Sequence, residues 1–182
     1  MLSHLFLAVL VLEVKKASGI TLALGTKRLF CYNIFMFYSE NEEALIRLGQ
    51  KIGQKLVAND LLVLTGELGS GKTTLTKGIA KGLEITQMIK SPTYTIVREY
   101  EGRLPLYHLD VYRIGDDPDS IDLDDFIFGD GVTVIEWGEL LGEHVLSDYL
   151  EVILEKKDEG RQVRLVAHGP RGAELLGAIQ DV

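Results

Sequence analysis

The chain has one cysteine, four prolines and one tryptophan in 182 residues, and its 19 Lys and Arg are outnumbered by 27 Asp and Glu. Each shortage removes a class of explanation. A lone thiol, Cys31, excludes an intramolecular disulfide framework and any multi-cysteine metal site, and it fits a reducing, cytoplasmic setting. A formal net charge of -8 gives no general attraction to nucleic acid, whose affinity rests on Lys and Arg neutralising phosphates. Any involvement of RNA is therefore expected to run through a partner. No internal repeat, low-complexity tract or Pro/Ser-rich linker occurs, so one globular domain is expected. The apolar run at residues 5–12 is far shorter than the roughly 20 residues a membrane helix needs. It also lacks a basic segment before it and meets Glu13 where a secretory signal would approach its cleavage site, so no membrane association is expected.

What is present suits a single core, with 46% hydrophobic and 25% charged residues. The compositional break near Met36 divides the chain into an N-terminal extension of unknown role, residues 1–35, and a domain at 36–182. Ser39 followed by Glu42 has the spacing of a capping box, and Leu45, Leu48, Ile52 and Leu56 recur at helical intervals, predicting a helix over about 41–57. The apolar run 61–65 reads as a strand buried on both faces, and 72–82 as the helix after it. Residues 93–100 and 104–112 read as a β-hairpin turning at 101–103, and 116–125 as an acidic loop with a short helix. Strands follow at 132–135, 150–154 and 162–167, the last two joined by a turn at 156–160, and 173–179 closes the chain as a helix. The fold class is α/β, with a mixed sheet flanked by helices.

The strongest motif is Gly66-Glu67-Leu68-Gly69-Ser70-Gly71-Lys72-Thr73, a full match to G-x-x-x-x-G-K-[ST] between a predicted strand and a predicted helix. Its glycines permit positive φ and let backbone N–H groups approach phosphate oxygens, while the following helix N-terminus adds partial positive charge. Lys72 is placed to reach the β- and γ-phosphates of a nucleotide, and the Thr73 hydroxyl to coordinate magnesium. Thr74 reads equally as a phosphate contact and as an ordinary residue of the first helical turn.

Such a loop serves kinases, GTPases and ATPases alike. The N-K-x-D string of guanine recognition is absent, and the segment after Tyr112 carries only Arg113 where a small-molecule kinase would place a lid rich in arginine. Ser91-Pro92-Thr93 follows the first loop helix, where a nucleotide-sensing switch commonly lies; a proline turn feeding a strand is the plainer alternative. In His108-Leu109-Asp110-Val111-Tyr112-Arg113, strand alternation puts His108, Asp110 and Tyr112 on one face, which either meets the nucleotide or faces solvent. Val132-Thr133-Val134-Ile135-Glu136-Trp137 is an apolar strand ending in a carboxylate, the layout of a Walker B element. Ligands of open α/β sheets sit at such carboxyl ends, which brings Glu136 towards Thr73 and a metal. Trp137 either stacks near the nucleotide or packs the core.

Taken together, G-E-L-G-S-G-K-T-T, S-P-T-Y-T, H-L-D-V-Y-R and V-I-E-W, in this order and spacing, closely resemble the TsaE (YjeE) family over residues 36 to about 169. The resemblance implies a cytoplasmic P-loop ATPase, using ATP and Mg2+, that is required for forming N6-threonylcarbamoyladenosine in tRNAs reading codons that begin with adenine. It further implies the TsaD and TsaB subunits as partners, tRNA met indirectly through their complex, and hydrolysis that resets the complex between turnovers. Carried onto this chain, the backbone from Glu67 to Thr74 and Lys72 hold phosphates, and Thr73 and Glu136 bind magnesium. Asp110 polarises the attacking water or orients the metal, Ser91 and Thr93 belong to a switch, and Trp137 lines the nucleotide site. Two other readings are a self-sufficient small-molecule kinase of the P-loop class and a nucleotide-dependent adaptor in which binding alone changes partner affinity.

Overall fold

A computed structural model describes residues 34–114, 122–141 and 145–180. The apolar run at 5–12, Cys31 and the acidic stretch at 116–121 lie outside them. The described residues form β1 (Ile34–Ser39), α1 (Glu42–Lys55), β2 (Leu61–Thr65), α2 (Lys72–Gly82), β3 (Val97–Tyr100) and β4 (Leu106–Asp110). These are followed by α3 (Asp124–Ile127), β5 (Val132–Glu136), a 3-10 turn (Gly138–Leu141), β6 (Tyr149–Lys157), β7 (Gly160–His168) and α4 (Gly169–Gln180).

The strands make one seven-stranded sheet in the order β1-β7-β6-β2-β5-β4-β3. Its centre is parallel: β2 lies between β5 and β6, and β4 pairs with β5 in the same sense. Antiparallel pairing of β7 with β6, β1 with β7 and β3 with β4 completes the two flanks. The predicted α/β mixed sheet is therefore present. In β2, Leu61, Leu62, Val63 and Leu64 are all at most 5% exposed, as a strand covered on both faces requires.

Alternation sorts the central strands onto two cores. Leu62 and Leu64 of β2, Leu106 of β4, and Val132 and Val134 of β5 face the larger cluster, which holds Leu45, Leu48 and Ile52 of α1, Leu75 and Ile79 of α2, and Leu175, Leu176 and Ile179 of α4. Leu61, Leu109 and Ile135 face the smaller one, beneath α3 and the 3-10 turn. By the same parity His108, Asp110 and Glu136 emerge on the α2 side, which decides where the site forms.

Helices α1 and α2 approach with almost nothing between them. Gly49 and Gly53 of α1 lie against Gly78 and Gly82 of α2; a Cβ on Gly78 would overlap the Ile46 carbonyl, and one on Gly53 the Ile79 carbonyl. Arg103 then reaches both helix ends, donating from Nη2 to the Gly53 and Leu56 carbonyls at 2.6 and 2.8 Å and from Nε to Gly82 at 3.4 Å. These are acceptors that a helix leaves unpaired at its C-terminus.

Four local expectations need correction. The cap of α1 is Asn41, whose side chain accepts from the Ala44 amide at 2.9 Å, while Ser39 ends β1 and donates to the Asn41 carbonyl. The capping-box spacing is real, but Ser39 is held by strand pairing to Arg161. The predicted strand at 93–100 begins only at Val97, because Pro92 takes the amides of Thr95 and Ile96 into a turn and Ile96 sits at φ 65°. Strand β4 stops at Asp110, so Tyr112 lies beyond the strand face it was expected to share. Strand β1 itself was not anticipated, and it takes in Ile34 and Phe35 along with Met36.

Candidate functional site

The loop between β2 and α2 bends through three glycines at positive φ, Gly66 at 142°, Gly69 at 73° and Gly71 at 110°. A side chain at Gly66 would meet the Leu154 carbonyl, and one at Gly71 the Leu45 side chain, so both conformation and space demand glycine here. Gly71 is the N-cap of α2, which leaves the first helical amides without a side-chain cap and open to an anion.

Lys72 folds back over this loop. Its Nζ donates to the Gly66 carbonyl at 2.6 Å and the Glu67 carbonyl at 3.2 Å, and it lies 3.5 Å from the centre of the Trp137 ring. Burial lowers the pKa of this ammonium below its ordinary value, against the opposing pull of Glu136, Glu139 and Asp110. Trp137 holds its ring there at a backbone cost, since φ is 65° in a bulky residue, with its amide tied to the Leu64 carbonyl at 3.0 Å. The same ring packs on the smaller core, as one of the two sequence readings expected, lies 5.0 Å from Tyr112 and also borders the cleft beside the loop.

Parallel pairing sets Asp110 opposite Glu136 at the carboxyl ends of β4 and β5. The Thr73 hydroxyl donates to Glu136 Oε1 at 2.9 Å, and buried His108 approaches the same oxygen through Nε2 at 2.8 Å. A carboxylate only accepts, so His108 carries its proton on Nε2 there, and its buried Nδ1 has no partner. Asp110, 1% exposed, accepts from the Thr93 hydroxyl at 2.6 Å and the Tyr112 amide at 3.0 Å; Ser91 and Thr93 share a hydrogen bond of 2.7 Å.

These groups border one open cleft of about 320 Å³. Of the residues singled out in the sequence, Leu68, Gly69, Gly71, Lys72, Thr73 and Thr74 line it on the loop side. Ser91, Thr93, Asp110, Glu136 and Trp137 line it on the other. Glu67 and Ser70 do not: the Ser70 amide is spent on the Glu67 carbonyl at 3.0 Å, and the buried Ser70 hydroxyl has no partner. Sequence reasoning did not foresee that His108 holds Glu136, nor that Asn41, Glu42 and Leu45 from the start of α1 and Glu159 to Arg161 from the β6–β7 turn border the cleft. The shared strand face of His108 and Asp110 was the available signal for the first.

The geometry fits a phosphorylated ligand with a divalent cation. The positive-φ loop is a cradle that a Cβ would fill, Lys72 is a cation resting on neutral carbonyls, and Thr73 with Glu136 offers adjacent hard oxygen donors. The family model described as threonylcarbamoyl adenosine biosynthesis protein TsaE matches residues 39–163. The chain belongs to the TsaE family. The tRNA threonylcarbamoyladenosine biosynthesis protein TsaE of Bacillus subtilis is 45% identical over 114 residues, covering 62% of this chain and 72% of that one. The protein of the same name from Nostoc is 42% identical over 144 residues, covering 75% and 88%. A crystal structure of Bacillus subtilis YdiB superposes with a TM-score of 0.74 at 33% identity, over 82% of this chain and 96% of that one. The TsaE family model spans every loop, switch and strand-end residue of the cleft named above, from Asn41 to Arg161. Among the described residues no helix is long and apolar enough to cross a membrane.

Proposed function

We propose that this TsaE-family chain binds and hydrolyses ATP with magnesium in the cytoplasm. It thereby drives formation of N6-threonylcarbamoyladenosine on tRNAs that read codons beginning with adenine. TsaD and TsaB are its partners, they supply the contact with tRNA, and hydrolysis resets their complex between turnovers. Residues 34–182 carry the ATPase, since β1 begins at Ile34, and residues 1–33 stand ahead of it in the sequence. The observation that supports this best is the meeting of Lys72, Thr73, Glu136 and the Asp110–Thr93 pair at the mouth of one phosphate-loop cleft.

Each side chain has a part that follows from its surroundings. Lys72, buried against two carbonyls and an indole face, gains by exchanging them for the β- and γ-phosphates. Thr73 and Glu136 are the residues that hold magnesium, and His108 fixes the orientation of the Glu136 carboxylate as a supporting donor. Magnesium, when bound, neutralises charge that develops on the phosphate oxygens. Asp110 is rigid because both its oxygens are engaged, and it is the carboxylate that orients the attacking water. The Thr93 hydroxyl is the switch element, bonded to Asp110 here and free to turn to a γ-phosphate.

The test is steady-state ATP hydrolysis by the full chain, alone and with TsaD and TsaB. Slow hydrolysis that rises at least tenfold with the partners is expected. Rapid phosphorylation of a nucleoside or sugar without partners would replace this reading with a kinase, and partner-independent nucleotide binding without turnover would replace it with an adaptor.

A further inference from the structure

We propose that Lys156 and Arg161, on the β6–β7 hairpin, are positioning residues for the phosphate loop. They hold its carbonyls away from the cleft so that its amides face inward. The proposal deepens the ATP-binding reading above and rests on it.

Lys156 Nζ donates to the Leu68 carbonyl at 2.9 Å. Arg161 donates from Nε to the Ser70 carbonyl at 2.8 Å and from Nη2 to the Gly69 carbonyl at 3.4 Å, while Nη1 bonds the Gly160 carbonyl at 2.7 Å and steadies the guanidinium on its own strand. Lys72 takes the two preceding carbonyls, Gly66 and Glu67. Every carbonyl from Gly66 to Ser70 thus accepts from a cationic side chain. Because a peptide plane carries C=O and N–H in opposite directions, holding the Leu68 and Ser70 carbonyls outward turns the Gly69 and Gly71 amides inward, while the Ser70 amide stays on the Glu67 carbonyl.

The division of labour among the three cations matters once phosphate arrives. Lys72 has to leave its carbonyls to reach the anion, whereas Lys156 and Arg161 can keep the Leu68, Gly69 and Ser70 carbonyls, even though Arg161 borders the cleft. A glycine-rich loop has little of its own to hold a single conformation. The hairpin supplies that restraint from a rigid base: β6 and β7 are nine residues each, pair up to Lys157 and Gly160, and close through Asp158 and Glu159 alone. Its backbone touches the loop directly, since the Leu154 carbonyl lies where a Gly66 side chain would be.

Inorganic tripolyphosphate separates this role from a contact with the nucleoside, because it offers phosphates without a base or sugar. Affinities of tripolyphosphate, ATP and adenosine are measured on the full chain by competition with a fluorescent ATP analogue, together with KM, kcat and thermal melts. Arg161→Gln and Lys156→Gln are each expected to weaken tripolyphosphate and ATP by the same factor, about tenfold, the scale of one hydrogen bond to a charged group. Adenosine binding stays as in the wild type, and KM rises while kcat holds within about threefold. Arg161→Lys is expected to recover only part of the loss, since the guanidinium reaches the Ser70, Gly160 and Gly69 carbonyls from three separate nitrogens and a single ammonium nitrogen does not offer that spread. Unchanged tripolyphosphate affinity in Arg161→Gln overturns the proposal, and so does full recovery by Arg161→Lys, which would reduce the effect to net charge. A lowered melt with unchanged affinities in the folded variants overturns it as well. Failure of the wild type to bind either ATP or tripolyphosphate would instead remove the ATP-binding reading itself.

Discussion

Replacing Asp110 with asparagine separates a carboxylate that acts on water from one that merely ties two segments together. In the structure Asp110 is 1% exposed and holds the Thr93 hydroxyl at 2.6 Å and the Tyr112 amide at 3.0 Å. Asparagine keeps the volume and one oxygen, which can serve the Tyr112 amide. The bond to Thr93 changes from charge-assisted to neutral, because the hydroxyl rotates to accept from the new amide. The structural loss is therefore about 1–1.5 kcal/mol, the difference between a hydrogen bond to a charged group and one to a neutral group. That lowers the melting temperature by roughly 2–6 °C in a domain of this size. Loss of a positioned carboxylate in the hydrolytic step lowers turnover by on the order of a hundredfold, equivalent to about 2.7 kcal/mol of barrier. ATP affinity changes far less, since Asp110 contacts none of the loop that holds phosphates. The assay is steady-state ATP hydrolysis with TsaD and TsaB, alongside ATP titration and a melt of the same protein. Turnover within about threefold of wild type, with the melt lowered as calculated, would refute the catalytic role and leave Asp110 as a tie between Thr93 and Tyr112.

Four further substitutions test other parts of the account. Glu136→Gln preserves an oxygen for Thr73 and His108 but removes the charge, so magnesium-dependent turnover should fall by about a hundredfold while ATP affinity without magnesium changes less than threefold; equal losses in both would make Glu136 structural. Gly78→Ala drives a methyl into the Ile46 carbonyl and the Gly49 backbone of α1. It should cost about 1–3 kcal/mol by denaturant titration, whereas Gly177→Ala on α4, with nothing within 4 Å, should leave stability unchanged or raise it. Arg103→Leu releases the last carbonyls of α1 and α2 to water and should lower stability by about 1 kcal/mol without changing ATP affinity.

The buried central strand and the phosphate loop were legible in the sequence because each rests on a local signal. Residues 61–65 are apolar throughout, the loop glycines stand where positive φ is needed, and the run ending at Glu136 stops on a carboxylate. The parity of β4 and β5 likewise brings Asp110 and Glu136 to one place. What was not legible depends on pairing between distant segments. Strand β1 alternates Ile34, Met36 and Tyr38 with Phe35 and Phe37, so it shows no polar face to mark it; its pairing with β7 defines it. Ser39 lost the cap to Asn41 for the same reason. Lys156 and Arg161 lie about ninety residues from the carbonyls they hold, and a basic residue near a predicted turn carries no hint of that contact. His108 was placed on the correct face, but its bond to Glu136 follows only from the sheet order.

The most direct test of the central claim is the yield of threonylcarbamoyladenosine on tRNA when the full chain is combined with TsaD, TsaB, ATP, magnesium and an activated threonylcarbamoyl donor, with tRNA in large excess over the proteins. The wild-type chain is expected to sustain many rounds, and Lys72→Ala, which removes the cation now resting on Gly66, Glu67 and Trp137, is expected to stop at about one modified tRNA per complex. Equal multiple-turnover yields from the two proteins, with Lys72→Ala unable to bind ATP, would contradict the claim that ATP hydrolysis at this loop resets the complex.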